Sequence, residues 1–90
     1  VKPGYLVKYE RTAIQNRWKV VEVEPERMTT DELSIYTRYG TPKYIRLYWD
    51  SKTKKIIYEW IYENPLRIFW LQKGRIIENP HVIEYNPWWK

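Results

Sequence analysis

The chain has no cysteine, only three glycines, and a single methionine and histidine among its 90 residues. Without cysteine there is no disulfide, no thiolate nucleophile and no Cys-ligated metal site, a composition that fits a reducing compartment. Three glycines do not make a loop that cradles phosphates. No apolar run approaches the ~20 residues of a membrane span, and no signal-peptide pattern is present, so a cytoplasmic location is expected. His81 follows Asn79-Pro80 and reads as a turn residue, because a metal site would need three oxygen ligands gathered around it. Ser34 falls inside a helix and Ser51 in a lysine-rich turn, and neither has the context of an activated nucleophile. Glu22, Glu24, Glu59, Glu63, Glu78 and Glu84 show no spacing that separates an acid from a base, and read as solvated strand faces and ion pairs. No catalytic residue, metal ligand or cofactor is assigned, and a non-enzymatic protein is expected.

What is present is aromatic and basic. The chain carries six Trp, nine Tyr and one Phe, together with 16 Lys and Arg against 11 Asp and Glu, for a net charge of +5. The calculated pI is about 9.5. The two sets interleave, most densely in Tyr44-Ile45-Arg46-Leu47-Tyr48-Trp49 and Ile57-Tyr58-Glu59-Trp60-Ile61-Tyr62. Aromatic faces stack on bases and cations neutralise phosphates, yet the same rings also build the half-buried faces of a small β protein. Abundant Lys, Glu, Ile and Tyr with two Gln is a bias found in proteins of hyperthermophiles. The first residue is Val rather than Met, which fits a chain that begins within a longer protein or follows a removed tag.

Ninety residues are expected to form one domain, residues 1–90. Tyr5–Arg11 alternates as a strand with Tyr5, Val7 and Tyr9 on one face, and Trp18–Glu24 forms a second strand that Pro25 stops. Thr29–Gly40 carries the helix signal. Thr29 is the N-cap, Glu32 completes a capping box, Met28 and Leu33 make a hydrophobic staple, and Gly40 follows the last turn. Leu33, Tyr36 and Tyr39 form its apolar stripe, with Ile35 beside it. Lys43–Trp49 and Ile56–Tyr62 flank the turn Asp50–Lys55. Setting Trp49 opposite Ile56, Leu47 opposite Tyr58 and Ile45 opposite Trp60 collects large apolar side chains on one face and pairs Arg46 with Glu59 and Asp50 with Lys55. Leu66–Gln72 and Arg75–Glu78 flank Lys73-Gly74. Asn64-Pro65, Asn79-Pro80 and Asn86-Pro87 terminate strands, and Val82–Tyr85 adds a short edge strand.

The fold expected is therefore mainly β (α+β): five to seven short strands with one helix over about residues 30–39, in a small barrel or a strongly bent antiparallel sheet. Lys2-Pro3-Gly4-Tyr5-Leu6-Val7-Lys8-Tyr9, with Trp18–Val23, resembles the opening strands of SH3-like barrels, where a Pro-Gly turn leads into an alternating strand with a central Val. That resemblance implies an SH3-like barrel. It does not choose a function, since such barrels include both nucleic-acid and peptide binders.

The function expected is a small, basic nucleic-acid-binding module for DNA or RNA. Lys52, Lys54 and Lys55 lie in the densest basic patch. Arg11 and Arg17 bracket the first loop, and Lys73 and Arg75 flank the last turn. Tyr44, Arg46 and Tyr48 share one strand face as a candidate stacking row. The competing reading of that row pairs Arg46 with Glu59 and packs the tyrosines under the helix. The alternative function is a protein-interaction or self-assembly module, such as a homodimer or an archaeal or viral accessory protein. Trp88 and Trp89 are its candidate interface residues, because Trp, Tyr and Arg dominate interface hot spots.

Overall fold

The computed structural model describes residues 2–77. The order is β1 (Leu6–Arg11), β2 (Arg17–Val23), a 3-10 turn at Pro25–Arg27, α1 (Thr30–Tyr39), β3 (Tyr44–Asp50), β4 (Lys55–Tyr62), β5 (Arg67–Gln72) and β6 (Arg75–Ile77). All six strands lie in one antiparallel sheet, each beside its sequence neighbours. No pairing of β1 with β6 closes the sheet among the described residues.

The β3–β4 register matches the one read from the sequence. Ile45 faces Trp60, Leu47 faces Tyr58, Trp49 faces Ile56, Arg46 faces Glu59 and Asp50 faces Lys55. Ile45, Trp60 and Leu71, on adjacent strands, are fully buried. They join Tyr5, Leu6, Val20, Val23, Ile35 and Tyr62 in the main core. In a flat sheet β1 and β4 would stand about 14 Å apart, at three strand spacings. Yet the Tyr5 and Trp60 rings meet edge to face at 5.4 Å. Trp60 Nε1 also donates a 2.8 Å hydrogen bond to the Tyr5 hydroxyl. The sheet is therefore strongly bent around this face.

The helix forms where its caps dictate. Glu32 N–H donates to Thr29 Oγ1 at 3.2 Å, and Thr29 N–H donates to Glu32 Oε1 at 2.8 Å. Gly40, at φ +82, ends the helix, and its N–H donates to the Tyr36 carbonyl. The N-terminus is fastened to the β5–β6 hairpin. Thr29 Oγ1 donates to the Gly74 carbonyl at 2.6 Å, and Ile76 N–H donates to Asp31 Oδ2 at 2.9 Å. At that turn Lys73 and Gly74 both have positive φ, +52 and +74. A two-residue hairpin with this handedness matches the sheet's twist and favours glycine.

Three expectations need correction. In β1, Leu6 rather than Val7 is in the core, because pairing with β2 shifts register on either side of Lys8. Such irregularities turn consecutive side chains to the same face. In α1, Ile35 and Glu32 are buried while Leu33 is 40 % exposed, so the packed stripe lies around Ile35, Tyr36 and Tyr39. The helix also covers the Ile45–Trp60 face, not the Tyr44–Arg46–Tyr48 face. On that second face a smaller cluster forms instead, of Tyr48 and Ile57 with Trp70 and Ile77 against them. Strand Val82–Tyr85 and the turns at Asn79-Pro80 and Asn86-Pro87 lie outside the described residues.

Candidate functional site

The Tyr44–Arg46–Tyr48 row is built as a structural staple. Glu59 is fully buried at the centre of the second face. Its Oε1 accepts from Arg46 Nε at 3.0 Å and Nη2 at 2.7 Å, and from the Tyr48 hydroxyl at 3.2 Å. Its Oε2 accepts from Trp70 Nε1 at 2.9 Å. Strands β3, β4 and β5 are thus tied through one carboxylate, as a buried charge requires. The pairing of Arg46 with Glu59 is present, while Tyr48 is only 3 % exposed. Its ring is already packed where a base would stack. Tyr44 is half-buried and carries the Arg17 guanidinium on its face at 3.9 Å.

The β3–β4 tip is organised by Asp50. Its carboxylate accepts from Lys52 N–H at 3.0 Å, Thr53 Oγ1 at 2.8 Å and Gln72 Nε2 at 3.3 Å. The Thr53 hydrogen bond leads in holding its pKa below the ordinary Asp value. The tip, closed by Lys54 N–H donating to the Asp50 carbonyl at 2.8 Å, presents Lys52, Lys54 and Lys55, all exposed, from a defined backbone.

Two clefts collect cations without a carboxylate among the described residues that line them. The first, about 500 Å³, is lined by Lys55, Gln72, Lys73, Arg75 and Ile77. The neighbouring Lys73 side chain holds the Lys55 ammonium below its ordinary pKa. Lys43 behaves in the opposite way. It lies 2.8 Å from Glu63, and that partner raises its pKa. None of Lys55, Lys73 and Arg75 has a carboxylate partner among the described residues. The second cleft, about 440 Å³, lies at the β1–β2 loop and takes Lys2, Arg11 and Arg17 together with Tyr9 and Trp18. Thr12 Oγ1 shapes that loop by donating to the carbonyls of Ile14 and Arg17.

The structure therefore brings Lys55, Lys73 and Arg75 together, and Arg11 with Arg17, but as two clefts rather than one. Lys52 and Lys54 stand beside the first at the hairpin tip. Sequence reasoning missed Lys2, Tyr9 and Trp18. The signal for Tyr9 and Trp18 was their closeness to Arg11 and Arg17 in the chain. Trp88, Trp89 and His81 lie outside the described residues. Among the described residues no three His, Asp or Glu side chains gather as a metal site, and no helix is long and apolar enough to cross a membrane. Comparison with protein-family models, curated proteins and solved structures returned no match.

Proposed function

We propose that this protein is a small, non-enzymatic nucleic-acid-binding module of the bent-sheet, SH3-like kind, holding the phosphate backbone with lysine and arginine. The observation that carries this reading is the Lys55–Lys73–Arg75 cluster. Three cations line one cleft with no carboxylate partner among the described residues, and Lys73 lowers the proton affinity of Lys55. A polyanion relieves the repulsion between these like charges, and it does so by releasing its own counterions, so binding is salt-dependent. Lys52 and Lys54 extend the cluster along the hairpin tip. The net charge of +5 adds long-range attraction.

The test is a variant with Lys55, Lys73 and Arg75 all changed to Gln. These side chains are exposed, so the fold should be kept. Affinity for short oligonucleotides should fall at low salt, and the slope of log K against log salt should flatten by about 2, the share of three phosphate contacts on a single strand. Unchanged affinity and slope would refute the proposal.

One observation favours a second reading, as an assembly module. Trp49 is 63 % exposed and Leu66 67 % exposed. Large exposed apolar side chains are typical anchors of protein interfaces. Sedimentation tests it: a stable dimer lost on Trp49→Ser would support assembly through the Trp49 end of the sheet.

A further inference from the structure

We infer that the β1–β2 cleft receives one unpaired nucleotide of a single strand, its base against Tyr9 and its phosphate among Lys2, Arg11 and Arg17. This deepens the nucleic-acid reading and rests on it. The cleft's volume of about 440 Å³ is within the range of small-ligand pockets. Its lining holds three cations, two aromatic rings, the amides of Gln15 and Asn16 and the Thr12 hydroxyl, with no acidic residue among the described residues.

Each part suits one chemical feature of a nucleotide. Tyr9 is 37 % exposed and meets Trp18 edge to face at 5.9 Å, so Trp18 fixes the ring while part of it stays open. The Lys2 ammonium lies 5.3 Å from the Tyr9 centroid. A base arriving on that ring displaces the ammonium toward the phosphate it carries. Arg17 Nε is buried and has no hydrogen-bond partner among the described residues, a donor whose burial is costly while unmet. The amides supply donors and acceptors for a base edge. Bases within a duplex are stacked on both faces, so an aromatic wall of this kind reaches only an unpaired one.

The experiment compares four probes: a single-stranded hexanucleotide, the same hexamer lacking its bases, a duplex and adenosine monophosphate. Each is titrated against the wild type, Tyr9→Ala, Tyr9→Phe and Arg11→Gln. Tyr9→Ala should weaken the hexanucleotide roughly 5- to 150-fold, the range for loss of one stacking partner. It should leave the duplex and base-free probes unchanged, and Tyr9→Phe should restore binding. Arg11→Gln should weaken the hexanucleotide and the base-free hexamer alike. Adenosine monophosphate should bind far more weakly than the hexanucleotide. Equal loss on every probe, no loss on any, or a mononucleotide bound as tightly as the hexamer would overturn the inference. Wild-type binding that Tyr9→Ala spares but the Lys55, Lys73 and Arg75 substitutions abolish would sink this site and leave the wider proposal standing. No binding by the wild type at low salt would remove both.

Discussion

Glu59→Gln gives the sharpest test of the structural reasoning. The carboxylate is fully buried and accepts four hydrogen bonds, two of them from the Arg46 guanidinium, whose side chain is 12 % exposed. Removing one member of a buried ion pair costs about 3–5 kcal/mol. Gln keeps the shape and one acceptor oxygen. Its amide NH₂, however, must face either the Trp70 indole N–H or the Arg46 guanidinium, donor against donor. The remaining acceptor moderates the loss, which should sit near the lower end, about 3 kcal/mol. For a domain of this size each kcal/mol moves the melting temperature by roughly 4–8 °C, so a fall of about 12–24 °C is expected. Urea titration followed by circular dichroism should show the midpoint falling with an unchanged slope. Adding Arg46→Met to Glu59→Gln should cost less than the two single changes together, by at least about 0.5 kcal/mol, as coupled neighbours do. A loss below about 1 kcal/mol, the worth of an exposed ion pair, would refute the reasoning.

Two further outcomes follow from the packing. Gly74→Ala drives a Cβ into Thr29 Cγ2 at a positive φ, so it should destabilise by about 1–3 kcal/mol through overpacking; calorimetry of Gly74→Ala beside Thr29→Ala checks whether the two share one contact, since their effects should then fall short of additive. Burial pushes Tyr5, Tyr58 and Tyr62 above the ordinary tyrosine pKa. Their folded-state pKa values exceed the unfolded ones, so their contribution is intact below pH ~10 and is lost as pH rises above it, by up to about 1.4 kcal/mol per pH unit for the buried Tyr5 and by less for the more solvated Tyr58 and Tyr62. Urea midpoints between pH 8 and 11.5 should therefore hold and then fall; a flat profile would contradict the burial of these hydroxyls.

The β3–β4 hairpin was legible because two independent patterns agreed. Its apolar face and its Arg46–Glu59 and Asp50–Lys55 pairs chose the same register, and a one-residue slip would have broken both. The helix was legible through Thr29, Glu32 and Gly40, since caps depend on local backbone geometry. Its packed face was not. The sequence places Leu33 in the apolar stripe with Ile35 beside it, and only the bent sheet decides that Ile35 joins the core with Trp60 and Leu71. The β1 irregularity around Lys8 carries no glycine or proline to announce it, so Val7 stood where Leu6 belongs. Of the candidate site, Lys55, Lys73 and Arg75 were named from charge alone, but their meeting depends on β4, β5 and β6 lying side by side. Glu59 was read as the ion-pair partner of Arg46 but not as buried, because its burial comes from Arg46 and Tyr48 on one neighbouring strand and Trp70 on the other. The same enclosure removes Tyr48 from solvent.

The most direct test of the central claim is a titration of the wild-type protein with a short single strand at ~50 and ~200 mM salt, followed by its own tryptophan fluorescence. Contacts from Lys55, Lys73 and Arg75, with Arg11 and Arg17 in the second cleft, predict tight binding at low salt and a slope of log K against log salt of about −2 to −4. No binding at ~50 mM, or binding indifferent to salt, would contradict the account.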